Sequence, residues 1–144
     1  HSWPSARTWA VADRLLKAKL PINSAVGEGA ACEFYAYTKV YTKLPDLGKI
    51  LDGKWHGIGF PKETSVRFAI STGLALRAST HIHTLNGFKW LMNNASPEWV
   101  QLYLSNIVDC ARERGHIGMI ASALREEPKM EGLMKDIREM ELAA

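Results

Sequence analysis

Apolar residues in this 144-residue chain recur at spacings of three and four, and no run alternates apolar with polar. A period of 3.6 selects helices, and proline and glycine cut them short. From Ser5 to Lys19, one face is marked by Trp9, Ala12, Leu15, Leu16 and the stem of Lys19. Ser5 is the expected N-cap of that segment, and Pro21 its stop. A second helix is expected after Gly27-Glu28-Gly29, reaching Lys43, with Ala30, Phe34, Tyr37, Val40, Tyr41 and Leu44 facing inward. Pro45 ends it, and Asp46 caps a short turn through Leu51. Residues 52–61, DGKWHGIGFP, read as a loop anchored by Trp55, Ile58 and Phe60.

Pro61, with Glu63 in the first turn, is expected to open a third long helix. Its broad apolar face holds Val66, Phe68, Ala69, Ile70, Gly73, Leu74 and Leu76. Thr80 is read as the cap of the next segment, which carries Ile82, Leu85, Trp90, Leu91 and Met92. Ser96-Pro97-Glu98 is the clearest helix start: a capping serine, proline at the first position, then an acid. Gly115 closes that helix. Two more are expected, His116 to Arg125 and Lys129 to Leu142, broken at Pro128, the last one charged and mostly exposed. The expected fold is therefore all-α, an irregular bundle of seven to eight short helices in a single domain spanning 1–144. No fixed period marks a helical repeat.

Composition agrees with one soluble domain. At 47% hydrophobic and 23% charged residues, the chain is neither a disordered tail nor a disulfide scaffold. Eighteen basic against fifteen acidic residues leave a net charge of +3, too small to point to nucleic acid. Cys32 and Cys110 have no metal spacing and read as small buried hydrophobes in a reducing, cytoplasmic setting. No run reaches the roughly 18 apolar residues of a membrane span, and HSWPSARTW has no signal-peptide pattern.

Catalytic motifs are missing. There is no G-x-x-x-x-G-K-[ST], G-x-S-x-G, H-E-x-x-H or C-x-x-C. The glycines of GEGAAC at 27–32 and GKWHGIG at 53–59 read as turn and helix-start residues. His81 and His83, two apart on a helix, diverge by about 200° and share no ligand face; a surface or capping role is expected. His56 and His116 are isolated. Glu28 and Glu33 flank a helix start and complement its dipole. The five tryptophans, Trp3, Trp9, Trp55, Trp90 and Trp99, are assigned to core packing rather than base stacking. Arg7 stands apart, because a cation in the first turn opposes the helix dipole and propensity does not explain it.

The opening Trp3-Pro4-Ser5-Ala6-Arg7-Thr8-Trp9, followed by Ala12-Asp13-Arg14-Leu15-Leu16, resembles the start of the helical lid in MoxR-type AAA+ ATPases. Val26-Gly27-Glu28-Gly29-Ala30-Ala31 with Glu33-Phe34, and Tyr41 with Leu44-Pro45-Asp46, are similar to the stretch that follows in bacterial members. Phe60-Pro61-Lys62-Glu63 with Ser65, Phe68-Ala69 and Leu74-Ala75 extends the likeness to about residue 78. Ala6 stands where that family has proline. The resemblance implies a C-terminal fragment of a longer chain, with lid-like helices over 1–51 and a helical extension over 62–142. It implies that Arg7 is the nucleotide-sensing residue, reaching the γ-phosphate held by an upstream domain. On this reading the chain is no enzyme by itself, has no catalytic or metal-binding residue, and meets ATP and Mg only in the full-length ATPase. Its partners would be the upstream nucleotide-binding domain, neighbouring subunits and a protein substrate or co-factor protein, with no membrane and no nucleic acid.

Three other readings remain open. One is a free-standing helical interaction module, an adaptor or regulator. Another is a nucleic-acid binder resting on Arg67, Arg77, Lys89, Arg112, Arg114 and Arg125, recognisable by steep salt dependence. The last is a small-molecule enzyme whose site the sequence hides.

Overall fold

The computed structural model describes residues 3–143; His1, Ser2 and Ala144 lie outside it, as do the side chains of Met140 and Glu141. The described residues form nine helices and no strand, the all-α architecture expected from the periodicity. The chain divides between Lys43 and Leu44 into two compact units.

The first unit holds α1 (Ala6–Lys17), α2 (Asn23–Val26) and α3 (Glu28–Tyr41). Ser5 caps α1 as its residue type predicts, its side chain accepting from the Thr8 N–H at 3.4 Å. Pro21 does not stop this helix. It ends at Lys17, where Lys19 turns left-handed at φ 58° and its N–H reaches the Leu16 carbonyl, while the Leu20 N–H reaches Leu15. That pair of bonds is a Schellman closure, normally made with glycine. The core is small: Ala12, Ile22, Val26 and Ala31, flanked by Trp9, Leu15 and Phe34. Trp9 and Phe34 meet at 5.7 Å between ring centres, and the Tyr35 hydroxyl accepts the Ile22 N–H at 3.2 Å.

The expected inward face of α3 is only partly used. Burial is centred on Ala31, with Ala30 and Phe34 half-buried, while Tyr37 and Tyr41 are 66% and 51% exposed. Cys32 is exposed as well, because it lies about 100° around the helix from Ala31. Cys110 is half-buried, so neither thiol is the fully buried hydrophobe expected. Trp3 is also exposed rather than packed.

The second unit holds α4 (Leu47–Leu51), α5 (Thr64–Arg77), α6 (His81–Asn94), α7 (Pro97–Glu113), α8 (Ile117–Glu126) and α9 (Pro128–Ala143). Asp46 caps α4 through the Lys49 N–H at 3.1 Å. The helix expected from Pro61 starts at Thr64 instead, with Glu63 in the N-cap position. Pro61 serves to fasten the preceding loop, since its carbonyl accepts from Arg67 Nε and Arg67 lies over the Phe60 ring at 5.3 Å. Phe60 in turn packs edge-on against Trp90 and Trp99, and the buried Trp90 donates its Nε1–H to the Ile58 carbonyl at 3.0 Å. Of the anchors expected in the 52–61 loop, Phe60 packs into this cluster and Ile58 is held through its backbone carbonyl.

The most extensive helix pair is α5 with α7, and α6 packs on α4, α7 and α8. The core runs through Ile50, Ile70, Leu74, Phe88, Trp90, Leu91, Tyr103, Leu104 and Ile107. On α5 the inward residues include Ser71 and Ala75, whereas Phe68 and Leu76 are 55% and 53% exposed. Gly115 closes α7 as expected, at φ 71°, a backbone conformation that glycine adopts without penalty. The break expected at Pro128 does separate α8 from α9, and Pro128 itself is the first residue of α9, since the first helical position needs no N–H donor.

Candidate functional site

Arg7 occupies the second position of α1 and is exposed. Two features of its surroundings matter. The first turn contains no acidic residue, and Arg7 makes no ion pair among the described residues. The Ser5 side chain satisfies one of the first N–H groups, at Thr8, and the Thr8 hydroxyl donates back to the Ser5 carbonyl at 2.8 Å. The helix end therefore keeps partial positive charge from its remaining N–H groups, with a guanidinium beside it. Such an end attracts an anion, and the fork-shaped donors of arginine suit phosphate oxygens. Holding α1 in place is the contact of Trp9 with Phe34, which ties its first turns to α3.

His81 and His83 turn to different carboxylates, in keeping with their spacing of two. His81 Nε2 lies 3.3 Å from Glu126 Oε1 on α8, and His83 Nε2 lies 3.4 Å from Asp52 Oδ1 at the end of α4. His83 Nδ1 faces Ser79, 3.2 Å from its hydroxyl oxygen and 3.4 Å from its N–H. The Thr80 side chain accepts the His83 N–H at 3.1 Å, so both side chains close the start of α6. Ser79 and Asp52 were not singled out by sequence reasoning. They lie 27 positions apart, and nothing in the local pattern of either marks the other. Both are exposed and face solvent, so this trio acts as a helix cap and a tie to α4. His56 and His116 are exposed, as are Glu28 and Glu33 at the start of α3.

Among the basic residues of the nucleic-acid reading, three are engaged locally. Arg67 binds the Pro61 carbonyl, Arg112 lies 3.4 Å from Asp109, and Arg125 donates to the Ser122 hydroxyl at 3.3 Å. Comparison with protein-family models, with curated proteins and with solved structures finds no match to this chain. Among the described residues, no helix is long and apolar enough to cross a membrane.

Proposed function

We propose that this chain is the C-terminal helical lid and extension of a MoxR-type AAA+ ATPase, with Arg7 sensing the nucleotide. The observation that supports this reading is the exposed Arg7 guanidinium in a first turn that has no carboxylate. Its position works against helix stability, so its benefit lies elsewhere. A γ-phosphate bound by an upstream domain would satisfy the guanidinium and the helix end together. Hydrolysis would remove that grip and free the lid to move.

The reading is tested by Arg7→Ala in the protein that includes its upstream nucleotide-binding domain. ATP turnover is expected to fall by about tenfold or more, the worth of one charge-assisted contact. Stability moves the other way: removing a cation that opposes the dipole raises it by about 0.3–1 kcal/mol. Unchanged turnover removes the sensing role.

A second reading, a free-standing interaction module, is favoured by one feature. Tyr37 and Tyr41 stack on each other at 6.1 Å on the exposed side of α3, and exposed aromatics are enriched at protein interfaces. Sequencing the coding DNA upstream of the His1 codon separates the two. An open frame containing G-x-x-x-x-G-K-[ST] supports the lid, and a start codon directly before His1 supports the module.

A further inference from the structure

A groove between α7, α8 and α9 plays no part in the Arg7 reading. It encloses about 320 Å³, near the lower end of the roughly 300–1,000 Å³ that small-molecule sites occupy. Its floor is apolar. Leu104 is fully buried there, and Val108, Leu124, Met134 and Ile137 are half-buried. Helical spacing builds it: Leu104, Val108 and Arg112 recur every four residues on α7, and Met134 and Arg138 do the same on α9.

The rim is charged and unbalanced. Arg112 Nη1 lies 3.4 Å from Asp109 Oδ1, and Lys135 Nζ lies 3.0 Å from Glu131 Oε1. Arg138, the third cation of the rim, makes no ion pair among the described residues. An apolar floor below a guanidinium with no ion pair among the described residues complements a ligand with an apolar body and a single anionic end. A docked helix fits poorly, because one turn about 10 Å across and 5.4 Å long displaces roughly 400 Å³. An extended alkyl chain fits, and a carboxylate suits the planar donors of arginine.

We infer that this groove binds a free single-chain amphiphile with a carboxylate head, its tail on Val108, Met134 and Ile137 and its head on Arg138. The inference stands apart from the lid reading and does not depend on Arg7. It is tested by calorimetric titration of the full chain with hexanoate, octanoate and decanoate below their micelle concentrations. Affinity is expected to rise by up to about fourfold per methylene, the worth of burying each one. Arg138→Gln, a change at an exposed side chain, should weaken octanoate about tenfold and leave octanol unaffected. Methyl NMR should show Met134 shifting on titration and Met119, on the far turn of α8, unmoved. Equal affinity for octanoate and octanol overturns the assignment, as does an Arg138→Gln variant that binds like the parent. Failure to saturate at millimolar octanoate also overturns it. Capture by anionic vesicles without binding of free octanoate makes the surface a membrane contact instead.

Discussion

Tyr103 shows how one residue can be tied into the helical core. It is fully buried on α7, and its hydroxyl donates to the Thr84 carbonyl at 2.9 Å on α6. The ring fits because position 87 is glycine: a Cβ there would lie 2.6 Å from the hydroxyl oxygen. Burial pushes the Tyr103 phenol well above its ordinary value of 10.0. In the unfolded chain that phenol ionises near pH 10, while in the folded chain it keeps its proton. The folded state then binds more protons, so stability present below pH 10 is lost as pH rises beyond it. The slope approaches about 1.4 kcal/mol per pH unit. Tyr103→Phe loses the hydrogen bond and is expected to cost about 1 kcal/mol at neutral pH. It also removes the alkaline slope, so the gap between parent and variant should narrow above pH 10 and close about one unit higher. Urea melts of both proteins from pH 8 to 11 measure this, and parallel curves would show that the phenol is not protected by burial.

At the level of helices, several starts were readable and the buried faces less so. Ser5, Asp46 and Thr80 all cap through their side chains, as residue type alone suggests. Ser96 had the strongest start signal and does not cap a helix N–H. Its hydroxyl turns instead to the Glu98 carboxylate and, with the Glu98 backbone N–H, holds that carboxyl below the usual carboxylate range. The two serine and threonine starts should therefore respond differently. Thr80→Ala is expected to cost about 1 kcal/mol, and Ser96→Ala less than about half that, in chemical denaturation. Equal losses would mean that Ser96 caps in solution. The faces were harder because α3 and α5 have more apolar residues than one stripe can hold. Periodicity admitted Tyr37, Tyr41, Phe68 and Leu76, which stay exposed; α5 does bury the expected Val66, Ile70 and Leu74, and the packed faces add the smaller Ala31, Ser71 and Ala75. Arg7 stands out in the sequence because a cation in a first turn breaks a local rule, and the structure places it in that turn, exposed. The α7–α8–α9 groove does not stand out, since its walls come from Leu104, Leu124 and Arg138 on three different helices. Each of those residues looks ordinary in its own segment.

Across the whole chain, stability should be uneven. The first unit has 43 residues, close to the size of about 40 below which domains usually need extra staples. Its buried core side chains are two alanines, Ile22 and Val26. Burying an isoleucine or valine contributes about 1.5–3 kcal/mol, and alanine much less. The second unit encloses Trp90, Tyr103, Phe88, Leu104, Ile107 and several other large side chains. Native-state hydrogen exchange should therefore find amides of α1 and α3, such as Ala12 and Ala31, opening at least about tenfold more readily than Leu104 and Ile107. Moving elements are drawn from the less stable parts of a protein, and the proposed sensing residue, Arg7, sits in this unit. A weakly protected first unit is what a lid that shifts on hydrolysis requires. Equal protection of Ala31 and Ile107 would instead mean that the chain opens as one cooperative body, and a mobile lid around Arg7 would lose its physical basis.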